Sequence, residues 1–218
     1  MSKSPPCGKR VWGALSRGVF PHQLSWLLDN PLRRFLLSPD DLAGRLGLSE
    51  SSRVLEVGPG SGYFSAALAT RIPRGELALL DLQPEMLAKA RRKLESMGFH
   101  NVRYTRADAS GEFPYPDGHF DVAVLVSVLG EISDQPGCLR SLRRVLRPRG
   151  LLAVHESIPD PDRIKFEALA ALVQAEGFTF VRRWGPSWNY TAAFERANQD
   201  AVQQVRASDS ESSASRSP

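Results

Sequence analysis

From residue 53 to residue 177, short apolar segments alternate with segments whose apolar residues recur at helical spacing. The runs "RVLEV", "GELALLDL" and "FDVAVLVSV" are apolar along most of their length, which is typical of strands buried on both faces. Helical patterns lie between them; "PEMLAKARRKLESMG", for example, begins with proline and closes with glycine. This alternation predicts an α/β fold in which helices cover both faces of a parallel sheet.

The end of the main domain departs from that rhythm. Two strand-like segments, "FTFVRRW" and "NYTAAFER", are joined only by "GPSW". Such a connection is too short for a helical crossover, so we expect an antiparallel hairpin at the sheet edge. The predicted fold class is a Rossmann-like, doubly wound, mainly parallel seven-stranded sheet that ends in an antiparallel hairpin. Before the hairpin, "GCLRSLRRVLRPRG" predicts an amphipathic helix over residues 137–150.

Composition divides the chain into four regions. Residues 1–20 form a basic tail that we expect to be flexible, and residues 21–49 form an N-terminal helical cap. Within the cap, Ser38 and Pro39 are typical of an N-cap and a first helical position. The main domain covers residues 50–196, and a serine-rich tail expected to be disordered covers residues 197–218.

The composition narrows the function classes. No apolar run approaches the ~20 residues of a membrane-spanning helix. Two isolated cysteines and four histidines show neither disulfide nor metal-site spacing, so we expect no metal. Reduced cysteines fit a cytoplasmic protein. A mitochondrial location is the alternative, because residues 1–28 are basic and contain no acid.

The stretch "VLEVGPGSGYF" predicts a ligand site. Gly58, Gly60 and Gly62 follow the first predicted strand, at the edge where open α/β sheets bind ligands. Tyr63 stands where the dinucleotide fingerprint requires a small residue, and the Lys-Ser/Thr pair of a phosphate loop is missing. Glu56, just before the glycines, would repel a pyrophosphate but tolerate an ammonium or a sulfonium. The stretch therefore favours a zwitterionic nucleoside.

Two more acids stand at the ends of the following strands. Asp81 ends the second strand, where a carboxylate can accept hydrogen bonds from ribose hydroxyls. Asp108 follows the third strand, where it could accept from an adenine amino group. Each also has a structural interpretation, since Asp81 could cap the next helix and Asp108 could cap a turn. Three acids at three successive strand ends favour the ligand site more strongly than the glycines do.

The segments "VLEVGPGSGYFSAALA", "LLDLQPEMLAKA", "ADASGEFPYPDGHFDVAVLVSVLGEI" and "LRSLRRVLRPRGLLAVHE" resemble successive motifs of class I S-adenosylmethionine-dependent methyltransferases. They are most similar to small-molecule members of the ubiquinone/menaquinone-biosynthesis type, over about residues 38–195. The resemblance implies S-adenosylmethionine as the cofactor. By this resemblance, Glu56, Gly58, Gly60 and Gly62 surround the methionine, and Asp81 and Leu82 hold the ribose and adenine. Asp108 and Ala109 contact the adenine edge, and Ser127 and Val128 lie beside the sulfonium.

Methyl transfer from a sulfonium is an in-line displacement, which requires a positioned acceptor and gains from excluded water. The segment "VSVLGEI" lacks the Asn/Asp-Pro-Pro-aromatic motif of enzymes that methylate amino groups of nucleic acids. We therefore expect a small-molecule or lipid-like acceptor and no nucleic-acid partner. A non-catalytic S-adenosylmethionine-binding regulatory protein and a dinucleotide-dependent oxidoreductase are the alternatives.

Four residues are candidates for the acceptor side. Glu131 and His155 follow or end strands near the expected active edge and could act as bases, although His155 could equally be a hydrogen-bonded structural residue. His22 and Trp26 are four residues apart, so on a helix they would share one face and could contact the acceptor. The alternative is that this pair docks on the sheet edge. The sequence predicts no oligomeric state.

Overall fold

A computed structural model of the chain describes residues 37–198. The expectations for the basic tail, for His22 and Trp26, for most of the N-terminal cap and for nearly all of the serine-rich tail lie outside these residues. The described elements, in chain order, are α1 (Pro39–Arg45), β1 (Arg53–Val57), α2 (Ser65–Arg71), β2 (Glu76–Asp81), α3 (Pro84–Ser96), β3 (Val102–Arg106), β4 (Phe120–Val126), a 3-10 turn (Leu129–Glu131), α4 (Gln135–Val145), β5 (Leu146–Ser157), α5 (Phe166–Ala175), β6 (Phe178–Trp184) and β7 (Asn189–Arg196).

The strands form one seven-stranded sheet in the order β3-β2-β1-β4-β5-β7-β6. Strands β1 to β5 pair in parallel, whereas β7 pairs antiparallel with both β5 and β6. The predicted mainly parallel sheet with a terminal antiparallel hairpin is therefore confirmed. The strand order reverses direction between β1 and β4, which is the position where doubly wound sheets bind ligands.

Helices cover both faces of the sheet, as the apolar strands predict. On one face, Leu139, Leu142 and Val173 of α4 and α5 pack in a buried cluster with β1, β4 and β5. On the other face, Leu42 of α1 and Leu68 of α2 belong to a second cluster, which also includes residues of α3. Because both faces are covered and the strands are parallel, their carboxyl ends meet at a single edge of the sheet that the helices leave open.

Local signals set the start of α1. The Ser38 side chain accepts a hydrogen bond from the Asp41 N–H at 3.0 Å, and Pro39 is the first helical residue. The negative charges of Asp40 and Asp41 in the first turn also interact favourably with the positive, N-terminal end of the helix dipole. The predicted N-cap is confirmed.

The predicted helix over residues 137–150 is wrong in its last turn. Helix α4 ends at Val145, and residues 146–150 belong to β5. Pro148 gives the physical reason, because the residue before a proline is disfavoured in the helical region. The chain instead turns through Arg149, which has a φ of 62°, and pairing with β4 shifts register there.

Candidate functional site

A cavity of about 320 Å³ opens at the carboxyl edge of the sheet, beside β1, β2 and β4. Nine of the ten residues expected around the cofactor line it: Glu56, Gly58, Gly60, Asp81, Leu82, Asp108, Ala109, Ser127 and Val128. These residues come from four separate strand ends. They converge because parallel strands all end at the same edge.

The glycine loop lets β1 approach its neighbours closely. Gly58 has a φ of 65°, and a Cβ there would stand 2.5 Å from the Val128 Cγ2. Gly60 also has a positive φ, 56°, and lines the cavity. Side chains are unfavourable in this backbone region, and at Gly58 there is also no room for one.

Gly62 differs from the other two glycines in its surroundings. It does not line the cavity, and a Cβ at this position would lie 3.2 Å from Ala90 on α3. Its φ of 80° and the close approach to Ala90 show that it allows the loop to pack on α3. The expected contact between Gly62 and a bound methionine stays a prediction.

Glu56 is the most buried acid of the site, with 2% of its surface exposed. The Ser65 hydroxyl, at the start of α2, donates a hydrogen bond to its Oε2 at 2.6 Å. Burial raises the pKa of Glu56 to about 7; the Ser65 hydrogen bond opposes this shift, Asp81 adds to it and Lys93 opposes it. The carboxyl is therefore poised to change charge near neutral pH.

This pKa predicts that the affinity for S-adenosylmethionine rises with pH through about 7. A cationic ligand favours the ionised carboxylate, so binding below that pH must release the Glu56 proton. The folding stability of the ligand-free protein depends on pH in the opposite direction. Because the pKa of Glu56 is raised in the fold, its contribution to stability is fully present below the unfolded-state pKa of 4.5 and is lost as pH rises through about 7. Calorimetric titrations in buffers of different ionisation enthalpy measure the released proton.

Two variants isolate the contribution of Glu56. Glu56→Gln should remove the proton release, whereas Ser65→Ala should shift the pH dependence upward because the carboxylate loses a hydrogen-bond donor. Ser65→Thr keeps the hydroxyl and should keep the pH dependence of the unchanged protein, at a cost in stability because its added methyl group is buried. Proton release that is equal in Glu56→Gln and in the unchanged chain would contradict this assignment.

Asp81 connects the two loops that border the cavity. Its Oδ1 accepts a hydrogen bond from the Gln83 N–H at 2.9 Å, and its carboxylate also bonds the backbone N–H groups of Gly60 and Leu82. Burial nevertheless raises the pKa of Asp81, and these hydrogen bonds oppose the shift. Gln83, not Asp81, is the N-cap residue of α3, so the helix-cap interpretation of Asp81 is wrong: its carboxylate holds the segment that leads into the helix and stands on the cavity wall.

Asp108 stands on the wall beyond Asp81. Its Oδ1 accepts from the Ser110 N–H at 2.8 Å, which confirms the turn-capping interpretation, and the residue also lines the cavity. The hydroxyl oxygens of Ser110 and Ser133 lie 2.9 Å apart and both residues line the cavity. Sequence reasoning missed this serine pair because its members are 23 residues apart.

Glu131 and His155 differ in their relation to the cavity. Glu131 closes the 3-10 turn after β4 and lines the cavity. His155 does not line it; only 3% of its surface is exposed, and its Nδ1 lies 3.1 Å from the Thr191 Oγ1. The same hydroxyl accepts a hydrogen bond from the Arg45 guanidinium at 2.8 Å. The His155 side chain thus contacts Thr191 and does not line the cavity, although its backbone pairs with the lining residues Val126 and Ser127.

Several lining residues were not expected from the sequence. Tyr63 and Phe64, interpreted as helix packing, belong to a core cluster but also line the cavity with Met86 and Ile132. Their apolar character carries no signal that separates a cavity wall from a core. The Ser65 contact with Glu56 was likewise not predicted, although its position three residues after Gly62 places it at the helix start.

Residues 37–198 offer neither a metal-binding cluster nor a membrane-spanning helix. No group of three His, Cys, Asp or Glu side chains there is arranged to hold a metal ion. None of the described helices is both long and apolar enough to span a membrane.

The basic face of α4 makes ion pairs within the chain, Arg144 with Asp117 at 2.7 Å and Arg140 with Glu176 at 3.4 Å.

Comparisons with known proteins agree with this site. Residues 54–150 match a family model described as a methyltransferase domain. The ubiquinone/menaquinone biosynthesis C-methyltransferase UbiE of Edwardsiella ictaluri is 32% identical over 163 residues, which cover 71% of this chain and 63% of that protein. UbiE of a Shewanella species is 36% identical over 112 residues, 50% of this chain and 44% of that protein. The matches thus span only about half to two-thirds of these relatives' length.

Solved structures support the fold. A SAM-dependent methyltransferase from Aquifex aeolicus has a TM-score of 0.77 at 23% identity, covering 82% of this chain and 100% of that chain. The methyltransferase CalH, crystallised with SAH, has a TM-score of 0.62 at 19% identity, covering 77% and 59%. The cyclase SpnF has a TM-score of 0.64 at 21% identity, covering 72% and 79%. Since SpnF is named as a cyclase, the fold alone does not decide the reaction.

Proposed function

We propose that this chain transfers a methyl group to a carbon of an apolar, quinone-like small molecule. The premise is that the chain belongs to the class I S-adenosylmethionine-dependent methyltransferases of the UbiE-like kind. S-adenosylmethionine, the cofactor of the family, supplies a methyl group activated by a sulfonium. The observation that carries the proposal is the convergence of Glu56, Asp81 and Asp108 on one cavity with the glycine loop.

The residues around the cavity divide into two groups. Asp81 and Asp108, with Leu82 and Ala109, are assigned to the ribose and the adenine. Leu82 supports this assignment because 42% of its surface is exposed in the cavity wall, where a flat base can stack. Glu56 is assigned to the charged end of the methionine.

The wall formed by the end of β4 and the residues after it is assigned to the acceptor, and its Val128, which abuts the glycine loop, borders the position expected for the sulfonium. Val126, Val128 and Ile132 make it apolar, and Glu131 is the acid among them. Methylation of a ring carbon forms a carbon–carbon bond while the carbon–sulfur bond breaks and its electron pair stays on sulfur. The ring carbon must then lose a proton, and we assign its acceptance to the Glu131 carboxylate.

Glu131→Gln tests that assignment. We expect the rate of methyl transfer to fall by about a hundredfold or more, since a positioned base contributes about 10²–10⁴-fold. The affinity for S-adenosylmethionine should stay nearly unchanged. Glu85→Gln, at an exposed acid of α3 that does not line the cavity, is the matched control. Full turnover by folded Glu131→Gln would remove Glu131 from the mechanism.

The experiment that tests the function itself has two stages. Calorimetric titration with S-adenosylmethionine, its demethylated product and NADH should give binding of the first two only. Incubation with quinol, thiol, amine and lipid acceptors should then give a methylated quinol. Tight cofactor binding with no product from any acceptor would favour the regulatory alternative, and NADH binding would favour the oxidoreductase.

Two remaining assignments belong to the same proposal. His22 and Trp26 are proposed to contact the acceptor from the N-terminal cap, and the cytoplasm is proposed as the compartment. The relatives from Edwardsiella and Shewanella are bacterial and do not favour the mitochondrial alternative.

A further inference from the structure

Two loops meet at the carboxyl edge of the sheet, on the side of β5 and β7. Residues 158–165 follow β5, and residues 185–188 connect β6 to β7. The Ile158 N–H donates a hydrogen bond to the Trp188 carbonyl oxygen at 3.0 Å. The loops therefore form one continuous surface, which we call the rim.

The tip of the rim is apolar. Ile158 and Trp188 each expose 47% of their surface, and Pro159 and Pro186 beside them are also exposed. A single exposed apolar side chain is ordinary, but four on two bonded loops make a patch. A tryptophan at such a position suits an interface, because its ring is apolar and its N–H can still find a polar partner.

The rim is held in place rather than loose. The Glu156 Oε2 accepts a hydrogen bond from the Ile164 N–H at 3.2 Å, and the Tyr190 hydroxyl donates to the Ile164 carbonyl oxygen at 2.7 Å. The Arg163 guanidinium donates to the Ser187 carbonyl oxygen at 3.0 Å. The apolar tip is therefore presented on a fixed base.

Exposed basic groups flank the two loops of the rim along the chain. The exposed charged residues at the start of α5 and the end of β6 are Lys165, Arg182, Arg183 and a single acid, Glu167. The acids of the rim itself, Asp160 and Asp162, are half-buried. An apolar tip within an excess of positive charge is complementary to an anionic surface.

The rim shares a wall with the cavity. A side chain at Gly130 would collide with the Asp162 carbonyl oxygen, so the 3-10 turn rests directly on the rim. The same turn brings Glu131 to the cavity. A partner bound at the rim therefore lies next to the wall assigned to the acceptor.

We infer that the rim docks on an anionic lipid surface and brings the acceptor wall to the membrane in which an apolar acceptor dissolves. The inference rests on the proposed acceptor class. Charge argues against two other occupants. A second copy would bring the exposed Lys165, Arg182 and Arg183 of both chains together, and residues 1–28 of this chain contain basic groups but no acid. Interfacial tryptophan and nearby basic groups are the features that hold peripheral proteins on anionic lipid.

The test uses the full chain and vesicles without any acceptor. Co-sedimentation should show binding to phosphatidylcholine vesicles that contain phosphatidylglycerol, little binding to phosphatidylcholine alone, and weakening by salt. Trp188→Ser and Ile158→Ser should each weaken binding by about tenfold, because each removes a large apolar group from the contact. Thermal melts without vesicles check that both variants are folded.

Met97→Ser is the matched control, because Met97 exposes 54% of its surface at the opposite edge, after α3. Its binding should equal that of the unchanged chain. The inference would be overturned if the chain does not bind vesicles or if Trp188→Ser binds them as well as the unchanged chain. It would also be overturned if Trp188→Ser lowers the sedimentation coefficient without vesicles, because the rim would then bind a second copy of the chain. Because the vesicle assay contains no acceptor, vesicle binding through the rim would be supported even if the chain transfers no methyl group. Methyl transfer without vesicle binding would contradict this inference and leave the proposed function intact.

Discussion

Gly60→Val is expected to abolish S-adenosylmethionine binding. Gly60 has a φ of 56° and lines the cavity, and its N–H is bonded to the Asp81 carboxylate. A β-branched side chain resists this backbone region and would occupy the path assigned to the methionine. Both effects act on the loop, so the cofactor should no longer raise the melting temperature of the variant.

Gly47→Val separates the loss of the site from general backbone strain. Gly47 has a similar φ of 62°, but a Cβ there meets nothing within 4 Å, and the residue does not line the cavity. The control should lose stability and still bind the cofactor. A normal cofactor-induced rise in melting temperature for Gly60→Val would refute the role of the loop.

Asp81→Ala is expected to weaken S-adenosylmethionine binding by at least about tenfold, and by much more if the full cost applies. Removing one partner of a desolvated, charge-assisted hydrogen bond costs about 2–5 kcal/mol. The carboxylate also joins Gly60 to the loop that begins at Leu82, so its loss loosens both borders of the cavity. Calorimetric titration of the variant measures the change.

Asp81→Asn is the informative companion. It keeps the size of the side chain and one carbonyl oxygen, so it can still accept the hydrogen bond from Gln83. Its cofactor affinity should fall between those of Asp81→Ala and the unchanged chain. Unchanged affinity in folded Asp81→Ala would leave Asp81 only the role of holding the segment that leads into α3.

The sequence predicted the sheet and the acids of the site well, and for the same reason. The strand-like segments "RVLEV" and "NYTAAFER" coincide with β1 and β7, because strands whose faces are covered by helices are apolar at most of their buried positions. Once parallel strands are predicted, their carboxyl ends must meet, and so Glu56, Asp81 and Asp108 were predicted to converge.

The sequence could not predict the direction in which a side chain points or the contacts between residues that are far apart in the chain. A strand-end position does not say which face a side chain takes, so His155 could be placed at the active edge although it contacts Thr191. The contact between Ser110 and Ser133 joins two loops, and no periodicity signals it. The end of α4 was predictable from Pro148, whose local effect outweighs the helical spacing of the preceding leucines.

The position of β7 has a consequence for how the chain is completed during synthesis. Although β7 is the last strand, it fills the place between β5 and β6, and β6 pairs with no other described strand. Strands β1 to β5 can assemble as soon as they emerge from the ribosome, whereas β6 stays unpaired until residues 189–196 have followed it. A nascent chain that stops after Trp184 therefore leaves open the two strand edges that β7 covers, one on β5 and one on β6, and such edges are sites of aggregation.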